Sequence, residues 1–394
     1  MDQASVAKTP LEKVREALCT RQPTTGSTHN FYHYPARFPP AIARAVIDAF
    51  SEPGDAVLDP FMGGGTTVIE ALALGRRAIG VDLNALAHFV AGVRTTPLSS
   101  RDEEILVAWA ERASSLRPYE DVASLPRSGT VNLPRAVELF VTDALKHAET
   151  LPFPRQRAFA RCALLRLGQW SLDCRDFVSP RRKLLADQLP ILVHEMLDGM
   201  SEFVDACGRS GRAKYEITRC RSLHHGSSAN LGTLVGALNK GDRPRLVFTS
   251  PPYPGVHVLY HRWQYRGRKE TSAPYWIADV PDGFGGAYYT AGSRTPTGLT
   301  KFFDTITKVF TSVRATVASD AVIVQLVGFN NVSTQLPLYL GAMRAAGFEE
   351  HNFPGADSER LGRRVPNRRW YAKLKGEVDA SAEIMLVHRP TKLP

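Results

Sequence analysis

The sequence predicts an α/β fold, with a sheet of parallel type interrupted by a helical insertion. Three observations carry that reading. Ala56–Leu58 and Ala78–Val81 are short apolar runs bounded by turn residues, with the helical stretch Thr67–Leu74 between them, which makes a strand, helix, strand unit. From Pro97 to about Arg212 the pattern turns helical, as in Ile105, Trp109, Ala113, then Leu164, Leu167, Trp170, then Leu189, Leu192, Val193, Met196, broken by Pro118, Pro126, Pro134 and Pro152–Pro154. Strand signals then return at Tyr215–Arg219, Arg245–Thr249, Ala321–Val327 and Glu383–Val387, with helical segments at Leu299–Val317 and Leu336–Ala346 among them. Strands alternating with helices are the mark of a parallel sheet.

The 394 residues, 43% apolar and 22% charged, suffice for a large core and exclude a disordered tail or a disulfide-stapled miniprotein. Three segments follow: residues 1–96, the helical insertion 97–212, and residues 213–394 with a basic C-terminal stretch. A formal charge of +10 favours a polyanionic partner. Five scattered cysteines, with no C-x-x-C or paired Cys/His spacing, predict a reducing compartment and no metal. Met1–Leu18 lacks the apolar stretch of a signal peptide and no uncharged run is long enough for a bilayer, so a soluble, cytoplasmic protein without membrane contact is expected.

Asp59-Pro60-Phe61-Met62-Gly63-Gly64-Gly65-Thr66-Thr67 follows a predicted strand and opens a predicted helix. Glycines there let the backbone come close to a ligand. The acid ending the strand can accept hydrogen bonds from a cationic amine, the Phe can pack on an apolar moiety, and a second acid, Asp82, ends the next strand, where it can bind ribose hydroxyls. Upstream, Pro39 and Pro40 start a helix whose apolar face is Ile42, Val46 and Phe50. Glu70, one turn into its helix, fits a role in supporting the helix dipole or a neighbouring side chain.

The second anchor is Val247-Phe248-Thr249-Ser250-Pro251-Pro252-Tyr253. A strand running into Pro-Pro must stop pairing, which leaves a stiff loop at its carboxyl end, where open α/β sheets bind ligands. A stiff loop can hold hydrogen-bond acceptors in fixed positions. The Ser250 hydroxyl and Pro251 carbonyl are suitable acceptors, and Tyr253 offers a ring for stacking.

These two motifs and an upstream segment together resemble those of S-adenosylmethionine-dependent DNA amino-methyltransferases: Asp59–Thr67 the D-P-F-x-G-x-G-T-T run, Ser250–Tyr253 the [D/N/S]-P-P-[Y/F] run, and His33–Pro39 the H-P-A-x-F-P segment at the methionine end of the cofactor site. The resemblance implies a Rossmann-like class I methyltransferase fold and the cofactor S-adenosylmethionine. It implies cofactor contacts from Tyr34, Pro35, Phe38, Asp59, Pro60, Phe61, Gly63, Gly65, Thr66, Asp82, Leu83 and Asn84, and catalysis by Ser250, Pro251, Pro252 and Tyr253. The substrate implied is double-stranded DNA, with a cognate restriction or defence component left open as a further partner. Ser in place of Asp before the prolines favours cytosine N4 over adenine N6 as the target; RNA base methylation and a catalytically silent DNA-binding protein are the remaining alternatives. Cytosine C5 chemistry is disfavoured, because it needs a cysteine that usually follows a proline and none here does.

Departures from the family pattern are also visible. The strand before Ser250 is expected to end in an acid near the adenine, whereas here Ile217–Cys220 leads to His224-His225-Gly226-Ser227-Ser228-Ala229-Asn230, with Ser227 or Asn230 as neutral substitutes and the two histidines as loop residues. The cofactor motif precedes the catalytic one, the reverse of many cytosine-N4 enzymes. Two basic stretches are candidate phosphate contacts: Arg155, Arg157, Arg161, Arg166, Arg175 and Arg181-Arg182-Lys183; and Arg360, Arg363, Arg364, Arg368, Arg369, Lys373 and Lys375 around Trp370 and Tyr371. The loop with His257, Tyr260, His261, Arg262, Trp263, Tyr265, Arg266, Arg268 and Lys269 is a candidate to hold an extruded base or fill the gap it leaves. Trp263 and Trp276 fit either a packed minicore or base contact.

Overall fold

A computed structural model describes residues 8–20, 26–33, 38–115, 131–172, 180–236, 238, 240–254, 263–265, 269–282, 295–356, 360–365 and 381–391. Tyr34, Pro35, Arg175, the stretches 255–262 and 266–268, and Arg368 to Lys375 therefore lie outside the described residues.

In the first third, α1 (Pro10–Cys19) and α2 (Pro40–Phe50) precede β1 (Ala56–Asp59), α3 (Thr66–Ala73), β2 (Arg77–Asp82) and α4 (Ala85–Arg94). Four long helices follow: α5 (Ser100–Ser115), α6 (Arg135–Glu149), α7 (Pro154–Leu172) and α8 (Arg182–Arg209). The last third holds β3 (Arg221–His225), α9 (Leu231–Val235), β4 (Leu246–Thr249), β5 (Trp263–Tyr265), β6 (Lys269–Thr271), α10 (Ala273–Ala278), α11 (Pro296–Thr316), β7 (Val322–Gly328), α12 (Val332–Ala345), β8 (Phe348–His351), β9 (Gly362–Val365) and β10 (Ser381–Pro390).

Among the described residues the main sheet has the order β3-β2-β1-β4-β7-β10-β8, with β9 also on β10. The pairs from β3 to β7 are parallel, and β10 runs antiparallel to β7, β8 and β9. The central strands β1, β4 and β7 are buried at every position and mostly apolar, because both faces are covered. In β4, Leu246 and Phe248 join a core with α2, α3, α4 and the long helices, while Val247 joins the opposite core with α11 and α12. This is a mixed α/β fold with a central sheet and flanking helices.

Two expectations need correction. The strand placed at Tyr215–Arg219 is a 3-10 turn, Lys214–Cys220, and β3 begins at Arg221, pairing Ala78 with Arg221 through Asp82 with His225. Ile217 is the one buried residue of the earlier stretch, so its alternation reflects a single anchor and not a strand face. His224 and His225 consequently end a strand and are not loop residues. In α7, Trp170 is exposed, and Leu164, Leu165, Leu167 and Leu172 form the buried face.

The long helices share one apolar core with the sheet. Their arginines largely satisfy local acids and carbonyls: Arg155 pairs with Asp102 at 2.7 Å, Arg161 with Glu149 at 2.6 Å, Arg182 with Asp143 at 3.0 Å, Arg166 with Glu195, and Arg157 donates to the Leu151 carbonyl at 2.6 Å. These pairs fasten helices to one another, while Arg181 and Lys183 remain exposed.

Trp263 is settled as core. It is 2% exposed and its indole N–H donates to the Tyr32 hydroxyl at 3.1 Å. A Cβ built on Gly168 of α7 would lie 2.2 Å from the ring. Because the hydrogen bond holds the indole in place, Gly168→Ala is expected to cost about 1–3 kcal/mol, read as a lowered urea midpoint at unchanged slope.

Candidate active site

The site is built on the carboxyl ends of β1, β2 and β4. β1 leads into α3 on one face of the sheet, whereas the chain after β4 returns through α11 on the other. Loops leaving neighbouring strands in opposite directions open a crevice between them.

Asp59 ends β1 and is 2% exposed. Its Oδ1 accepts from the Thr249 hydroxyl at 2.6 Å and from the Phe61 N–H at 3.1 Å, and the Thr67 hydroxyl donates to the Phe248 carbonyl at 3.2 Å. The Gly-rich motif is thereby fastened to the strand that carries Ser250. Burial pushes the Asp59 carboxyl up to about 6, against the hydrogen bonds from Thr249 and Phe61, and the neighbouring Asp82 adds to the rise.

The sign of the resulting pH dependence is fixed by that direction. The unfolded chain ionises Asp59 near 3.8 and the folded chain near 6, so between those values the folded state holds the extra proton. Stability contributed by Asp59 is full below about pH 4, falls as pH rises through the window, and is lost above it, a difference on the order of 3 kcal/mol. Asp59→Asn keeps an acceptor for Thr249 and Phe61 without the charge. Its expected result is the disappearance of that slope in chemical unfolding measured from pH 4 to 7.

Gly63 and Gly65 have φ of 51° and 83°, the left-handed region that glycine enters without strain. The Gly63 N–H donates to Asp82 Oδ2 and the Asn84 N–H to Asp82 Oδ1, both at 2.8 Å, so Asp82 braces the glycine loop from β2. Desolvation raises its carboxyl too, in part offset by those two N–H groups. Two desolvated carboxylates facing one crevice fit a ligand that brings positive charge and hydroxyls, as S-adenosylmethionine does.

The other expected cofactor residues are placed as follows. Pro60 is buried and its carbonyl accepts from the Ser228 hydroxyl at 2.5 Å. Phe61 and Leu83 are half-buried, and the Phe61 ring leans toward Phe310 at 6.5 Å. Thr66 starts α3 behind Gly65. Phe38 is 6% exposed and packs on Phe248 with ring centroids 4.9 Å apart, bringing the N-terminal segment to β4. Asn84 caps α4 through the Leu86 N–H at 2.9 Å and donates to the Tyr275 hydroxyl at 3.1 Å, so its side chain holds the frame.

Beside β4, the Ser250 hydroxyl donates to the Leu326 carbonyl at 2.9 Å. Its only proton is spent there, which leaves Oγ as an acceptor. Pro251 is buried, and Pro252 and Tyr253 are half-buried. The Tyr253 hydroxyl lies 3.3 Å from Ser250 Oγ and donates to Glu383 of β10. Burial, with the Glu383 carboxylate beside it, pushes the phenol well above its ordinary value, so it stays protonated.

With this geometry in hand, the similarities to known proteins are informative. Residues 4–89 match the family model described as "DNA methylase", of the N6/N4 methyltransferase type. The chain is also similar to Type II methyltransferase M.MvaI of Kocuria varians, 35% identical over 74 residues, which is 18% of this chain and 16% of that protein. It is similar to DNA adenine methyltransferase YhdJ of Escherichia coli (strain K12), 39% identical over 70 residues, 18% of this chain and 24% of that one. The chain thus spans less than a quarter of the length of these relatives. Among solved structures, TrmN from Thermus thermophilus is found at 11% identity and a TM-score of 0.34, covering 92% of this chain and 52% of that one. The family match ends at residue 89, well before Ser250.

Several site residues have no signature along the chain. Arg94 is fully buried and donates to the Gly64 carbonyl at 2.5 Å, to the His29 carbonyl at 3.1 Å and to the Tyr32 carbonyl, clamping the N-terminal segment to the glycine loop. Glu70 accepts from His29 at 2.8 Å and from Arg44 at 2.9 Å, so it supports neighbouring side chains as its position in the helix suggests. Burial opposes its ionisation, yet the hydrogen bond and charge of His29 and the charge of Arg44 hold the carboxyl below its ordinary value. Ser228 binds the motif, whereas Ser227 caps a 3-10 turn through the Ala229 N–H. His225 approaches the Leu83 carbonyl at 3.1 Å and His224 the Ser222 hydroxyl at 2.7 Å.

Proposed function

We propose that the protein transfers a methyl group from S-adenosylmethionine to the exocyclic amino group of a base in double-stranded DNA, with cytosine N4 as the target. The observation that carries the reading is the Asp59 to Thr249 hydrogen bond, which joins the Gly-rich motif to the strand bearing Ser250-Pro251-Pro252-Tyr253. The crevice at the reversal of strand order supports the Rossmann-like class I assignment, and the family match over residues 4–89 supports the cofactor half.

S-adenosylmethionine, when bound, supplies an electrophilic methyl group. The Gly63–Gly65 backbone, Asp59 and Asp82 would hold it in the crevice. Ser250 Oγ and the Pro251 carbonyl would each accept a hydrogen bond from one amino N–H of the target base, which turns the nitrogen lone pair toward the methyl group; as the N–C bond forms the sulfur–methyl bond breaks, leaving a neutral thioether, and one amino proton passes to solvent. Tyr253 supplies the surface against which an extruded base stacks. A hydroxyl suffices where relatives use a carboxylate, because each acceptor needs to take one hydrogen bond. The helical insertion 97–212 is assigned to target recognition, and a cognate restriction or defence component to the partner role.

The test incubates the protein with methyl-labelled S-adenosylmethionine and duplex DNA, then resolves the nucleosides by mass spectrometry. N4-methylcytosine is the expected product. N6-methyladenine would overturn the base choice alone, and no label in DNA, with label entering RNA in a parallel reaction or entering neither, would overturn the DNA reading.

A further inference from the structure

The loop that carries Tyr253 ends against a part of the chain that no sequence motif marks. Glu383 and Gly328 are cross-strand partners of β10 and β7. A Cβ on Gly328 would come within 2.8 Å of Tyr253 Cε2 and 2.9 Å of Cδ2, so the phenol ring lies on the sheet where a side chain is missing. Its hydroxyl donates to Glu383 Oε1, while Glu383 Oε2 accepts from Arg363 Nε of β9 at 2.6 Å. Glu383 and Arg363 side chains are 8% and 12% exposed, so the pair is fixed by its surroundings. The ring is therefore located twice, by a gap beneath it and by a charged acceptor at its tip.

An ordinary tyrosine in a loop samples rotamers and loses entropy on stacking. A ring set in advance avoids that cost and holds the base at one height relative to Ser250 Oγ, 3.3 Å from the phenol oxygen. We propose that Glu383 is the positioning residue for Tyr253, and that with Gly328 it sets the plane on which the target base stacks; this rests on the reading of Ser250–Tyr253 as the base-methylating loop. Glu383 acts through Tyr253, from whose hydroxyl it accepts a hydrogen bond. Arg363 neutralises Glu383 and keeps it from turning toward solvent, which gives this arginine a role in place of the phosphate contact expected for it.

The experiment combines a structural and a kinetic readout on the full chain. In protein carrying 13C-labelled tyrosine, the Cζ resonance of Tyr253, assigned by its loss in Tyr253→Phe, should move in Glu383→Ala. Glu383→Ala, Gly328→Ala and Tyr253→Phe should each lower kcat/KM for duplex DNA about tenfold or more, with cofactor affinity within about twofold of wild type. Glu383→Ala combined with Tyr253→Phe should lose little beyond either alone. Glu383→Gln, whose amide oxygen can still accept from the phenol, should retain most of the activity. An unmoved resonance, normal turnover in Glu383→Ala, or a Glu383→Gln as impaired as Glu383→Ala would each overturn the positioning role. A moved resonance in a protein that methylates no DNA would remove the function reading and the stacking role with it, while leaving the contact intact.

Discussion

Ser250→Ala and Tyr253→Ala are each expected to slow methyl transfer to duplex DNA by about a hundredfold or more, with cofactor affinity changed by no more than a few-fold. For Ser250 the reason is the direction of its proton. The hydroxyl donates to the Leu326 carbonyl, so Oγ faces the crevice as an acceptor whose position the sheet determines. Removing it leaves one amino proton of the base without a partner in the transition state, which is a cost to kcat more than to binding. For Tyr253 the loss is of the stacking surface, so KM for DNA should rise as well. Single-turnover rates with saturating cofactor separate the two effects. Near-normal rates in both variants would mean that the methyl-accepting site lies elsewhere.

Asp82→Ala should weaken S-adenosylmethionine binding by about 2–4 kcal/mol, measured by calorimetry. Two contributions add. The carboxylate is placed to accept from ribose hydroxyls, and it also receives the N–H groups of Gly63 and Asn84, so its removal loosens the glycine loop itself. Asp82→Asn distinguishes them: its one amide oxygen can replace a single acceptor, and an intermediate loss is expected. Unchanged affinity in Asp82→Ala would show that the cofactor pocket is misplaced.

Much of this site could be read along the chain. Asp59 to Thr67 forms the predicted turn between strand and helix, with Gly63 and Gly65 at positive φ as their residue type allows. Thr249 ends its strand where Pro251 and Pro252 forbid further pairing. Apolar periodicity located β1, β2, β4, β7 and the buried face of α8, since a strand covered on both sides and a helix covered on one leave distinct patterns. The edge strand β3 was missed by several residues, because Arg221-Ser222-Leu223-His224-His225 is only partly buried and carries no such pattern. What places it is pairing with β2, which comes from outside the segment.

The arginines show the same division. As a composition they suggest a basic surface; in the fold Arg94 is buried among carbonyls, Arg166 and Arg182 hold helices together, and Arg363 serves Glu383. Glycine, proline and apolar spacing act over a few residues, so the strand ends, the stiff loop and the cofactor turn are properties of local sequence. The choice of partner for a polar side chain is not local: Thr249 meets Asp59 across 190 residues and Tyr253 meets Glu383 across 130. Those bonds exist once the strands are in register, and register is set by the packing of both sheet faces together.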